Sequence, residues 1–314
     1  GTSGSASAPY VNVASMKNNG LDASLHGRVN LIGDLDLDAI ATFTTYNNRI
    51  VAIAEGVDYF DLESRRFNGS NIIRNAVGQP ISSYYGYNIV GFWNSEAEIE
   101  QANAGVPESN TSGVYQTGAG VGRFRYEDAN GDGQITPDDR VFPGSPNPDF
   151  TYGLTIGLTY KNWDFSTLLY GVQGNEIWNQ VKWWTDFYSS FQGAKSKTAL
   201  YDSWTPENHN AKAPIQENEG SFSTNQVPNS YYVEDGSYLR VRNIQLGYTL
   251  PYKLLQPLGV HRLRLYVQAA NVLTFTKYSG LDPEIGGAGA TNFGIDEGAY
   301  SAPRQYLFGV NLLF

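Results

Sequence analysis

Gln305-Tyr306-Leu307-Phe308-Gly309-Val310-Asn311-Leu312-Leu313-Phe314 is the stretch whose reading decides the fold. Every second residue, Tyr306, Phe308, Val310, Leu312 and Phe314, is apolar. Gln305, Gly309 and Asn311 on the other phase are small or polar, with Leu307 and Leu313 as exceptions. Successive strand side chains point to opposite faces, so this period of two predicts a strand with one face toward lipid and one toward an aqueous lumen.

The same alternation recurs upstream. Leu263, Leu265 and Val267 alternate with Arg264, Tyr266 and Gln268, and Leu154, Ile156, Leu158 and Tyr160 with Thr155, Gly157 and Thr159. Leu21, Ala23, Leu25, Val29 and Leu31 alternate with Asp22, Ser24, His26, Arg28 and Asn30, and Gly33-Asp34 turns the chain into Leu35, Leu37, Ala39, Ala41 and Phe43. Between Ser237 and Leu250 the phase changes. Leu239 and Val241 oppose Arg240 and Arg242, but beyond Asn243 the apolar set is Ile244, Leu246, Tyr248 and Leu250. A β-bulge between Arg242 and Ile244 would keep one face apolar throughout.

Seven strands follow from this reading, and Ser82–Trp93 and Gly120–Tyr126 read equally as a spanning pair or as loop. The connections fall into two lengths. Gly33-Asp34, Lys161-Asn162 and Pro251–His261 are short; 48–80, 94–150, 174–232 and 276–303 are long. In outer-membrane barrels short turns face the periplasm and long loops face outward, which directs the 304–314 strand inward.

Composition agrees. The 314 residues are 41% hydrophobic and 14% aromatic, with 34 Gly and 22 Tyr, a β-type recipe. Mean hydropathy is −0.37 and no apolar run approaches the ~18 residues of a membrane helix. Barrel strands escape that test because lipid and lumen faces average out. The net charge of −10, with scattered Lys and Arg, argues against nucleic acid as a partner. There is no cysteine for thiol catalysis or disulfides, and Gly1–Pro9 lacks the apolar core of a signal peptide.

The strongest local motif is Asp128-Ala-Asn130-Gly-Asp132-Gly-Gln134-Ile-Thr-Pro-Asp138-Asp139. Oxygen donors at positions 1, 3 and 5, Gly at 6, a backbone carbonyl at 7 and an acid at 12 match an EF-hand-type Ca²⁺ loop, giving Asp128, Asn130, Asp132, Gln134 and Asp139 as ligands of a structural calcium ion. Asp139 is shorter than the usual Glu, and a metal-free Asn/Gly turn is the competing reading. A second cluster, Trp178, Trp183, Trp184, Phe187, Tyr188 and Phe191, lies in a loop. Aromatic faces at a wet surface stack on sugars or anchor a partner, so Trp178, Trp183, Trp184 and Tyr188 are candidate ligand contacts, against loop packing as the plainer reading. Arg240 and Arg242 join them as lumen-facing residues.

Catalysis finds little support. His26, His209 and His261 have no metal-ligand spacing, and Gly118–Gly122 (GAGVG) lacks the strand, helix and lysine of a phosphate cradle. Acidic pairs such as Asp36 and Asp38 read as solvated surface. No catalytic residue is expected, and a glycosidase is the third reading.

Several segments together resemble the C-terminal part of SusC/RagA-type TonB-dependent outer-membrane transporters. They are Pro9-Tyr-Val-Asn-Val13 with Lys17-Asn-Asn-Gly20, Gly78–Gly86 (GQPISSYYG), Arg125–Gly133 (RYEDANGDG), Gly144-Ser-Pro-Asn-Pro148 and Asn162-Trp-Asp164. Gly171–Gly174 (GVQG), Tyr238–Asn243 with Gly247–Pro251, Asn271–Gly280, Leu281-Asp-Pro-Glu284 and the terminal Phe314 complete the set. The resemblance implies an all-β, antiparallel transmembrane barrel of about 22 strands, with a plug. It implies import of oligosaccharides or peptides through TonB beneath a SusD-like surface lipoprotein, in the outer membrane of a Gram-negative, Bacteroidetes-type bacterium. Residues 1–314 would then be the C-terminal barrel part, with plug and N-terminal strands outside this chain. Tyr306, Phe308 and Phe314 would form the signal read by the outer-membrane assembly machinery. The alternative from a different class is a secreted, calcium-braced β-sandwich that binds carbohydrate.

Overall fold

The computed structural model describes residues 14–62, 67, 70–289 and 292–314. Pro9–Val13, part of the motif set above, lies outside them. Seven long strands form one antiparallel sheet with neighbours in chain order: β1 (Ser15–Ile32), β2 (Leu35–Ala52), β3 (Phe150–Tyr160), β4 (Trp163–Gln173), β5 (Tyr238–Thr249), β6 (Arg262–Thr276) and β7 (Gln305–Leu313). Among the described residues no helix is long and apolar enough to cross a membrane.

Register carries the period of two across the sheet. One row runs Val29, Leu37, Leu158, Phe165, Leu246, Val267 and Phe308, each paired with the next. One residue along, the row is Arg28, Asp38, Gly157, Ser166, Gln245, Gln268 and Leu307. The first face is apolar on every strand and the second is mostly polar, so a slip of one residue would exchange them.

The bulge expected in β5 is present. Asn243 pairs with Leu168 and Val241 with Leu169, leaving Arg242 as the extra residue, and β6 answers with a shift between Leu273 and Ala270 where Asn271 adopts φ 52°. Leu239 and Val241 thereby stay on the face of Ile244, Leu246 and Tyr248.

Among the described residues no second sheet covers the apolar face. Leu25, Phe308, Val310 and Phe314 are among the most exposed large side chains of the protein. A sandwich packs two inner faces against each other, so the carbohydrate-binding sandwich expected as the alternative does not fit this architecture. About 25 cal/mol per Å² makes such a face strongly unfavourable in water and favourable against hydrocarbon.

The buried core lies elsewhere, in the connections. Phe67, Ile73, Tyr84, Phe124, Tyr126, Trp178 and Tyr232 are nearly or wholly inaccessible, and all belong to segments between long strands. Ser82–Trp93 and Gly120–Tyr126 belong here and do not span. Gly86–Tyr87 pairs with Arg140–Val141 and Ile89–Phe92 with Phe124–Tyr126, so residues 53–149 are one connection rather than two loops divided by a hairpin. Helix α1 (Glu96–Ala104), capped by the Ser95 hydroxyl on the Glu98 amide, sits within it.

The three long connections fold into one body. Glu176–Asn179 pairs antiparallel with Val233–Asp235 and parallel with Ile295–Asp296, joining the β4–β5 and β6–β7 connections. Tyr84, from the β2–β3 connection, donates its hydroxyl to the Gly294 carbonyl (2.7 Å) and reaches the Glu176 carbonyl (3.1 Å). Gly294 has φ 83°, and a Cβ there would meet Pro146 and the Tyr84 hydroxyl, so only glycine permits this junction.

Candidate functional site

The polar face of the sheet and the adjoining side of the loop body form the candidate site. Ion pairs organise the face. Arg28 and His26 on β1 reach Asp38 on β2, at 2.7 Å and 3.1 Å. Arg264 on β6 crosses over Gly247 of β5 to hold both oxygens of Asp164 on β4, with Nε donating at 2.8 Å. A Cβ at Gly247 would collide with both partners, which is why this strand position carries no side chain.

The most enclosed charge on this face is Arg240. Its guanidinium donates to Asp282, to Glu284 (2.7 Å) and to the Thr274 hydroxyl (3.0 Å), while Arg242 donates to the second oxygen of Glu284 (2.6 Å). Both acids come from Leu281-Asp-Pro-Glu284 in the β6–β7 connection. That connection is therefore folded back onto the polar face. The Asp282 carboxyl lies below the usual carboxylate range: burial would push it up, but the Glu284 and Ala302 amides and Arg240 outweigh that.

The loop aromatics form a packed core rather than an open platform. Trp178 is fully buried, its ring stacked on Tyr232 (centroids 5.2 Å, planes 25° apart) and its Nε1 donating to Gln180 (3.0 Å). It therefore stands as a core residue, away from the wet surface expected of a ligand contact. Trp183 donates to the Asn225 carbonyl (3.0 Å) and meets Trp184 edge-on at 5.8 Å. Of the four aromatics proposed from sequence, Tyr188 alone is exposed, and Trp183 and Trp184 are half-buried. Arg240, expected to line the lumen, is 2% exposed and engaged throughout, whereas Arg242 keeps part of its surface.

The buried phenols stay neutral, and those of Tyr84, Tyr126 and Tyr231 serve as hydrogen-bond donors. Burial raises the Tyr84, Tyr126 and Tyr232 hydroxyls above their ordinary range, and Tyr87 is pushed up to about 12 chiefly by burial. Tyr231 rises by burial and by the charge of Asp186, to which it donates at 2.7 Å. These hydroxyls stay protonated across physiological pH.

The Asp128–Asp139 loop is closed by its own amides. The Asp128 carboxylate accepts from Gly131 (2.8 Å), Asp132 (3.1 Å) and Gly133 (2.8 Å). Asn130 accepts from the Asp132 amide and Asp132 from the Gln134 amide. Asp139, fully buried, accepts at one oxygen from the Ala129 amide (2.9 Å) and at the other from the Thr136 amide (2.7 Å) and hydroxyl. The donor types suit calcium, but Asp139 is committed to capping Pro137–Asp139, and a cation would have to exchange these bonds. Among the described residues no cluster of three or more acids or histidines stands ready to hold a metal.

Sequence reasoning missed Asp282 and Glu284 as partners of the arginines, and Tyr84 and Tyr232 as core. Leu281-Asp-Pro-Glu284 was visible as a motif, but nothing local links it to Arg240, some 42 positions away.

Comparison with known proteins bears on this arrangement. No family model matches the chain. It is 33% identical over 309 residues to TonB-dependent receptor P26 of Formosa agariphila, covering 96% of this chain and 30% of that protein. It is 31% identical to receptor P3 of the same organism (98% and 30%) and 27% identical to TonB-dependent receptor SusC of Bacteroides thetaiotaomicron (96% and 27%). The fold resembles the structure of the RagAB peptide transporter, with a TM-score of 0.70 over 96% of this chain and 29% of that chain at 23% identity, and its "open-open" state at 0.69. The chain spans about 30% of the length of the curated relatives it matches. The uncovered apolar face, the ion-paired polar face and the alternating short and long connections are thus those of a barrel wall, and over this length the chain belongs to the SusC-type TonB-dependent receptors.

Proposed function

We propose that this chain is the C-terminal wall and extracellular loop body of an outer-membrane transporter that imports oligosaccharides or peptides, powered through TonB. The observation that carries the reading is the sheet itself, apolar and uncovered on one face and ion-paired on the other. Open edges β1 and β7 leave backbone groups that hydrocarbon does not tolerate, so the wall requires further strands of the same receptor to close it, and a plug is proposed with them on the family resemblance alone. A SusD-like surface lipoprotein is the proposed partner over the loop body, outer-membrane lipid surrounds the apolar face, and no covalent chemistry is assigned. The Tyr306, Phe308 and Phe314 phase serves as the assembly signal. Calcium at Asp128–Asp139 is proposed as a structural brace, supported by the ligand spacing.

The test is fractionation and uptake in cells carrying the whole receptor. The expected result is recovery from the outer membrane only with detergent, and uptake of a labelled oligosaccharide or peptide mixture that stops when TonB is deleted. Recovery as folded, detergent-free soluble protein overturns the reading.

A further inference from the structure

A cavity of about 720 Å³ lies in the loop body between the β4–β5 and β6–β7 connections. Its wall includes Ser279, Gly280 and Leu281, which run directly into Asp282, the residue clamped by Arg240 on the polar face of β5. The cavity wall is thus tied, through the chain and the Arg240–Asp282 ion pair, to the polar face of the sheet.

Charge is divided across it. Asp186 and Asp296 are each 2% exposed, and their closest side-chain partners are neutral: Tyr231 donates to Asp186 at 2.7 Å and Tyr278 to Asp296 at 2.6 Å. Lys182 is paired with Glu234 at 3.0 Å. Lys195, whose charge reaches Asp186, is held by the carbonyls of Trp184, Phe187 and Phe191. The floor therefore carries two buried carboxylates, neither in an ion pair among the described residues. The rim is opposite in sign. The Lys197 side chain is exposed and its ammonium makes no hydrogen bond or ion pair among the described residues, and the Lys212 side chain is 78% exposed with its ammonium reaching only Asp202, at 3.7 Å.

Stacking on a sugar ring is not available here. Tyr231 is the aromatic residue in the lining; its face is covered by the Lys182 ammonium at 4.2 Å, and Phe124, Phe187 and Tyr232 pack around it. Buried anions on one side and two exposed cations on the other, Lys197 without a side-chain partner and Lys212 only loosely paired with Asp202, suit a ligand with a cationic group at one end and a carboxylate at the other.

We propose that this cavity is a peptide-binding site, taking an ammonium or guanidinium toward Asp186 and Asp296 and a carboxylate at Lys197 and Lys212. The proposal rests on the import reading and narrows its substrate class.

The test is calorimetric titration of the whole receptor in detergent with the tetrapeptide Lys-Ala-Ala-Glu, with acetyl-tetra-alanine amide and maltotetraose as the neutral peptide and sugar probes. The zwitterionic peptide should bind, and K197A/K212A should weaken it roughly tenfold, each exposed pair contributing a few-fold. K197E/K212E should reverse the preference toward Lys-Ala-Ala-Lys, a gain that a misfolded loop body would not produce. Unchanged peptide affinity in both variants, or maltotetraose binding weakened by the same variants, overturns the proposal. TonB-dependent uptake, measured separately, tests the import reading: uptake intact with peptide affinity indifferent to the lysines fails the cavity alone, and peptide binding without any TonB-dependent uptake fails the import reading alone.

Discussion

Replacing Arg240 by Met removes the guanidinium and keeps an unbranched stem against its neighbours. Arg240 is 3% exposed at the side chain and bonds Asp282, Glu284 and Thr274. Glu284 is 40% exposed and keeps Arg242, so its share of the loss is small. Asp282 is 8% exposed and is left as a buried carboxylate with the amides of Glu284 (2.9 Å) and Ala302 (3.0 Å). An uncompensated buried charge costs about 3–5 kcal/mol, and the two amides reduce this to about 2–3 kcal/mol. The β5 ladders do not depend on the guanidinium, so the loss should appear as local opening of 277–304 rather than barrel unfolding. At 1.36 kcal/mol per tenfold, hydrogen exchange in that segment should accelerate by about 30- to 150-fold. Mass-spectrometric exchange on the receptor in micelles reads this directly. Adding D282N should recover much of the protection, because the stranded charge is removed. Unchanged exchange in R240M, or a double variant no better than the single, would refute the clamp. The sign with pH is also fixed. Asp282 is depressed in the folded state, so its contribution is present above the unfolded value near 3.8 and is lost as pH falls through the lower folded value.

Glu176 behaves oppositely: burial first, then the charge of Asp149, raises its carboxyl. Its favourable contribution is full below the unfolded value near 4.5 and is lost as pH rises through the folded value, so the advantage of Glu176→Gln in thermal melts should grow from pH 4 to pH 7, and a pH-independent difference would contradict it. Asp139→Ala strands amides that this buried carboxylate now caps and should destabilise the loop body by about 2–3 kcal/mol, seen as faster protease cleavage near 128–139; if calcium occupies the loop, chelator should sensitise the parent protein and leave the variant unmoved. Phe308→Arg places a charge on the most exposed apolar position of β7 and should cost about 2–4 kcal/mol if it sits near the bilayer midplane, lowering the folded fraction on unheated gels; a normal folded fraction would mean that this face does not meet lipid.

What the sequence determined by itself was the wall. Alternation over Leu21–Leu31, Leu154–Tyr160 and Tyr306–Phe314 assigns each side chain to a face before any partner strand is known, because a strand's side-chain period depends only on its own backbone. Even the β5 bulge was legible, since two arginines next to a phase change leave few other solutions. The loop body was not. Trp178 and Tyr232 stack, Tyr84 joins three connections, and Arg240 meets Asp282 across chain separations over which no periodicity persists. Whether a loop tryptophan is an open platform or a core residue, and whether an arginine lines a path or clamps a loop, depends on what other segments bring to it, and only the tertiary structure decides that.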